Sequence, residues 1–151
     1  MIYYNFYYHK KWTFLILATK KGLKELTLYN DEDLSNYTFD LEYTNPYIEA
    51  LDNYFSKLKI NNFEFDITGT KFQMAIWHEL TKVKLGDTIS YDKLGINIGK
   101  DKSARAVGNA VGNNPILIFI PCHRVIRKDG KIGGFSSDPS LKRYLLDFEK
   151  E

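Results

Sequence analysis

The chain contains a single cysteine, Cys122, in the stretch Ile-Pro-Cys-His-Arg-Val (residues 120–125), directly after the apolar run 116–120. A thiol at the mouth of a buried element, with an imidazole beside it, is an arrangement suited to nucleophilic chemistry. The thiol is a weak nucleophile until its proton is removed, and His123, helped by a carboxylate brought close in folding, is placed to remove it. A lone cysteine taken alone is more often an inert buried side chain, so the inference depends on its neighbours.

Composition narrows the setting. With 151 residues, 44% hydrophobic and 26% charged, the chain can bury one good core or two small ones and reads as folded. No apolar run reaches the length of a membrane span. The aromatic, polar start Met1 to Tyr8 lacks the charged-then-apolar order of a signal peptide, so a cytoplasmic protein is expected. One cysteine excludes an internal disulfide and leaves no cysteine pair for zinc, so neither a metal nor a cofactor is expected. Residues 1–69 carry 7 Lys/Arg against 10 Asp/Glu, and residues 70–151 carry 14 against 9, within a formal net charge of +2. A basic second half suits a polyanion such as nucleic acid, although a solvated surface produces the same imbalance.

The elements that must position the thiol follow from pattern. Residues 2–8, 12–18 and 23–29 are rich in aromatic and β-branched side chains separated by lysine-rich turns, which predicts an antiparallel meander. Asn45-Pro46 predicts a helix start, with Tyr47, Leu51, Tyr54, Phe55 and Leu58 on its buried face. Asn30 to Leu41 and Asn61 to Gly69 read as connections, the second joining an N-terminal support domain (1–69) to a C-terminal domain (70–151). Thr70 to Gln73 has capping-box spacing and opens a helix with Phe72, Ile76, Leu80 and Val83 on one face. Ser90 to Gly99 and Asp101 to Val111 have helix-turn-helix spacing. The second of these helices carries small residues at Ala104, Ala106, Gly108 and Ala110, with Arg105 projecting from them. Small residues also suit internal helix crossing, but Lys100, Lys102 and Arg105 at the helix start favour phosphate. Asn113-Asn114-Pro115 predicts a turn into an apolar strand that delivers Cys122, and residues 127–136 a glycine-rich loop that walls a pocket. Asp138-Pro139 caps a last helix that ends near Glu149.

These segments together resemble the O6-alkylguanine-DNA alkyltransferases, direct-reversal repair proteins that move an alkyl group from guanine to their own cysteine. The resemblance covers residues 70–149. It rests on Gly86-Asp-Thr-Ile-Ser-Tyr91, Ala104-Arg-Ala-Val-Gly108, Asn114-Pro115, Ile-Pro-Cys-His-Arg-Val, Gly133-Gly-Phe-Ser136 and Glu149, in the family's order and spacing. Residues 1–69 share only a layout.

The resemblance implies an α+β fold, with a small N-terminal antiparallel sheet and helix in a ribonuclease H-like layout before a mainly helical domain containing a helix-turn-helix. It implies that Cys122 accepts the alkyl group, that His123 takes the thiol proton through a water, and that Glu149 orients His123, in the logic of a catalytic triad. Asn114 would tie the turn to the cysteine segment, and Tyr91 would help rotate the nucleotide and donate to the guanine ring. Main-chain groups of Cys122 and Val125, with Ser136, would read the guanine edge. Phe135 stands where the family often has tyrosine and can stack but not donate. Ser103, Ala104, Arg105 and Gly108 would lie on DNA, the second helix entering the minor groove with Arg105 filling the gap left by the flipped nucleotide. The implied partner is double-stranded DNA carrying O6-alkylguanine, bound by a monomer, with one lesion repaired per molecule. A relative that only binds lesions would lack the cysteine. A helix-turn-helix regulator would need base-reading polar side chains, and a cysteine hydrolase rarely has adjacent Cys and His.

Overall fold

The computed structural model describes residues 1–133 and 138–151 and divides into two compact units, Met1–Ile67 and Thr68–Glu151. It is a mixed α+β architecture. Unit one is built on strands β1 (Tyr3–His9), β2 (Trp12–Thr19) and β3 (Gly22–Leu28), which form the expected meander with β2 in the middle. Every residue of β2 from Phe14 to Ala18 is buried, which explains its unbroken apolar run. The two faces of β1 separate with period two. Asn5, Tyr7 and His9 meet Thr44, Asp52 and Phe55 of the helical side, whereas Tyr4, Phe6 and Tyr8 make a row of ring contacts on the other face.

Three details differ from expectation. The sheet is not wholly antiparallel, because a two-residue strand β4 (Thr38–Phe39), inside the stretch read as a connection, pairs parallel to β1. The segment 64–66 also pairs, since Leu23 donates to the Glu64 carbonyl and Asp66 donates back to Leu23. A Cβ on Gly22 would lie 2.3 Å from the Glu64 oxygen, so a glycine is required where this backbone crosses. Helix α1 (Asn45–Phe55) begins one residue earlier than the Asn-Pro cap implied, at Thr44, whose side chain bonds the Asp40 carbonyl instead of the helix amides. It ends at Phe55, which leaves Leu58 exposed and outside the stripe.

In unit two, α2 (Lys71–Leu80) starts with the reciprocal Thr70–Gln73 capping box and buries Ile76, Trp77 and Leu80. Helices α3 (Tyr91–Asn97) and α4 (Ala104–Gly112) follow, and both pack with α2. Ser90 caps α3 by accepting from the Lys93 amide, and Gly99 at positive φ ends the turn after it. Strands β5 (Ile89–Ser90) and β6 (Val125–Ile126) form a short parallel pair that the residue pattern gave no sign of. Helix α5 (Pro139–Lys150) is capped by Asp138, which accepts from the Ser140 amide, and buries Leu141, Leu145 and Leu146. Among the described residues no helix is long and apolar enough to cross a membrane.

Candidate active site

The apolar run before Cys122 is buried, as its composition requires, but it is not the strand expected. It folds through turns, because it has to reverse and present the cysteine. Phe119 donates to the Leu117 carbonyl at 2.7 Å across Ile118, whose φ of +70° is rare for a β-branched side chain. Cys122 donates to the Ile120 carbonyl at 2.7 Å across Pro121, a second three-residue turn. Asn114 holds this double turn together. Its amide Nδ2 donates to the carbonyls of Ile116 (2.9 Å) and Ile120 (2.7 Å), and its Oδ1 accepts from the Ile116 amide. Asn114 therefore satisfies backbone groups that a sheet would otherwise have paired.

Cys122 opens a 3₁₀ turn, Cys122–Arg124, and is 4% exposed. Burial pushes its thiol up to about 11, although the Asn114 amide and the positive charge of Lys142 act in the opposite direction. The sulfur therefore rests as a thiol near neutral pH and needs a base to react. His123 is buried beside it, with Nε2 2.7 Å from Glu149 Oε2. Burial lowers its affinity for a proton, Glu149 raises it, and the charges of Arg124 and Lys142 lower it again, with a net downward shift. A neutral His123 that donates from Nε2 to the carboxylate carries its lone pair on Nδ1. That atom is buried with no hydrogen-bond partner among the described residues.

Two buried cations complete the site, and the sequence reading missed both. Arg124 grips the Glu149 carboxylate with Nε to Oε1 (2.8 Å) and Nη2 to Oε2 (2.9 Å), while Nη1 donates to the Val83 carbonyl (2.7 Å). Lys142, fully buried on α5, donates to the Val125 carbonyl at 2.7 Å, and burial pulls it down to about 8. One signal for Lys142 was available: it lies next to Leu141 and three residues before Leu145, on the apolar face of α5, where a lysine is out of place. Tyr91, at the start of α3, is half-buried, and burial holds its phenol protonated, an effect that a negative charge on Cys122 strengthens once the sulfur is ionised. A Cβ on Gly133 would lie 3.8 Å from its ring, so the backbone at Gly133 passes close by. Phe135 and Ser136 lie outside the described residues.

The fold thus brings Cys122, His123, Asn114, Glu149 and Tyr91 into one region, with Val125 as the acceptor of Lys142. It places the second group of expected residues elsewhere in the unit. On α4, Val107, Ala110 and Val111 face the core, and Ala104, Arg105 and Ala106 are exposed. Nothing lies within 4 Å of a Cβ built on Gly108, so no internal packing demands a glycine there. The internal close approach falls on Gly95 of α3, where a Cβ would come within 2.8 Å of the Ser103 hydroxyl oxygen and 2.9 Å of the Lys100 carbonyl. Ser103 is turned to that contact and donates to Lys100.

Comparison with known proteins agrees with this geometry. Residues 71–151 match the family model described as 6-O-methylguanine DNA methyltransferase, DNA binding domain. The chain belongs to this family. It is 35% identical to the inducible methylated-DNA–protein-cysteine methyltransferase of Bacillus subtilis over 99% of this chain and 90% of that one. It is 37% identical to the Methanosarcina barkeri protein of the same name, over 90% of this chain and 89% of that one. Among solved structures, the Mycobacterium tuberculosis O6-methylguanine methyltransferase superposes with a TM-score of 0.91 at 32% identity, covering 99% and 93% of the two chains. The M. tuberculosis protein in complex with DNA gives 0.90 at 33% identity, covering 98% and 92%. Membership thus extends over the first unit, where no family motif was legible.

Proposed function

We propose that this protein repairs DNA by irreversible transfer of the alkyl group of O6-alkylguanine to Cys122, with the damaged nucleotide turned out of the duplex. The observation that carries the reading is His123, buried one residue after Cys122, with Nε2 held by Glu149 and Nδ1 left as a buried lone pair. Nδ1 takes the thiol proton, directly or through a water. Sulfur then bonds to the alkyl carbon, and the O6–carbon pair returns to the base, which gains a proton at N1. The sum exchanges S–H for S–C at the protein and restores guanine. Glu149 stabilises the imidazolium formed on the way, and Lys142 the developing thiolate. Tyr91, kept protonated, is a donor to the leaving base, and main-chain groups at Cys122 and Val125 serve its edge, with Ser136 and Phe135 as the loop's contribution. A thioether is not reversed by any group of the protein, so each monomer acts once.

Helices α3 and α4 act in this reading as a helix-turn-helix whose second helix lies in the minor groove. The exposed Ala104, Arg105 and Ala106, with the half-buried Gly108, form a low surface that a narrow groove admits. The meander with a short parallel strand on the β1 edge supports a ribonuclease H-like layout for the support domain.

Mass spectrometry after mixing with a methylated oligonucleotide tests the chemistry. One added CH₂ on the peptide containing Cys122 is expected, and an unmodified peptide beside a consumed lesion would overturn it. Arg105→Ala should slow repair in duplex DNA by about tenfold or more, because filling the gap offsets a few kcal/mol of unstacking. Reaction with free O6-methylguanine should be nearly unchanged, and equal losses on both substrates would remove Arg105 from that role.

A further inference from the structure

We propose that Arg124 is a positioning residue for the transfer, which keeps His123 neutral and its Nδ1 available by sharing the Glu149 carboxylate. The argument begins with the carboxylate, which accepts two hydrogen bonds from the guanidinium and one from His123. The planar fork fixes the plane of the carboxylate, and the third arm of Arg124 on the Val83 carbonyl anchors the fork to the segment after α2. The plane of Glu149 in turn sets the direction in which Oε2 meets Nε2, and so where Nδ1 points.

The second half of the argument is charge. The charged and titratable side chains facing His123 are Glu149 and Lys142 from α5 and Arg124 from its own turn, with Cys122 adjacent. Burial does most to lower the proton affinity of His123, and Glu149 works against it, drawing a second proton toward the imidazole; an imidazolium cannot accept the thiol proton. Paired with Arg124, the carboxylate is nearly balanced, and it keeps its orienting hydrogen bond without converting the base to its acid. Lys142 acts in the same direction but lies toward Val125 and the thiol, so it does not replace the fork.

The test follows the His123 ring resonances of the full chain through a pH titration by NMR, in the wild type, Arg124→Met and Arg124→Lys. Removing the positive charge should raise the His123 midpoint by about one pH unit or more, and the lysine variant, which keeps charge but loses the fork, should move it less in the same direction. Adding Glu149→Gln to Arg124→Met should reverse the rise. A midpoint that stays or falls in both single variants overturns the proposal; should Arg124→Met not fold, Arg124→Lys alone decides it. A rate arm rests on the alkyl-transfer reading. With a methylated oligonucleotide, the wild-type rate should fall only at acid pH, below the ordinary histidine midpoint, since His123 titrates low. In Arg124→Met that fall should move up with the NMR midpoint. No transfer by the wild type at any pH would refute the reading and leave the NMR result standing; transfer with an unmoved acid limb would count against Arg124 alone.

Discussion

Cys122→Ala is expected to abolish alkyl transfer and to leave affinity for DNA within about threefold of wild type, less than the ~1.4 kcal/mol of a tenfold change. The two effects separate because the groups lie apart. The sulfur is buried among Asn114, His123 and Lys142, whereas the surface proposed for DNA is the exposed side of α4. Replacing Sγ by hydrogen removes one buried atom, which costs on the order of 1 kcal/mol and is small against the stability of a domain. Single-turnover assays with labelled methylated duplex, beside fluorescence anisotropy on the same duplex, read both quantities. Transfer by the alanine variant at anything near the wild-type rate would falsify the assignment of the acceptor. A large loss of DNA affinity would mean that the site and the binding face are coupled.

Glu149→Ala should be the most destabilising single change at the site, by about 3–5 kcal/mol, because it strands the buried Arg124 guanidinium without its carboxylate and His123 Nε2 without its acceptor. For a protein of this length that corresponds to a fall in Tm of about 10 °C. Position alone predicts the opposite. A residue two from the end of the chain is ordinarily frayed, and its substitution ordinarily falls within about 0.5 kcal/mol. Glu149→Gln keeps an oxygen for His123 and removes the charge, so it should lose less stability than alanine while still slowing transfer, since a neutral amide does not stabilise the imidazolium. Thermal denaturation followed by circular dichroism decides the point, and a fall in Tm of under about 2 °C for the alanine variant would show that the buried ion pair does not support the end of α5.

Arg124 and Lys142 give the site its electrostatic character. Each is a cation that burial penalises, and each is held by a partner that also belongs to the chemistry: Arg124 by Glu149, Lys142 by the Val125 carbonyl next to the cysteine turn. Buried cations so placed favour anionic states in their surroundings, the carboxylate in the resting site and the thiolate in the reacting one. The thiol itself is not pre-ionised, as its upward shift makes clear. A neutral resting sulfur is less exposed to oxidation, and its reactivity waits on His123.

Several features were determined by the sequence alone. The meander, the capping box at Thr70, the Asp138 cap and the helix pair around Gly99 are local matters, set by side-chain period and turn chemistry within a few residues, and the structure has them where the pattern placed them. The Cys-His pair, with asparagine, tyrosine and glutamate at the spacing of a known family, was legible for the same reason: it is a string of residue types in order. Contacts between distant segments were not. An apolar run of five reads as a strand, yet 116–120 turns twice because Asn114, from the preceding loop, pairs its carbonyls. Strands β4, β5 and β6 are two residues each, too short to carry a period, and exist only because a partner backbone runs alongside. Arg124 looks like a surface charge, and Lys142 like a lysine misplaced on an apolar helix face, until folding closes α5 over the cysteine turn. Only the tertiary structure decided that a carboxylate near the chain end would be buried between an imidazole and a guanidinium, because the stability of that contact depends on the water excluded from around it, and no stretch of sequence records that exclusion.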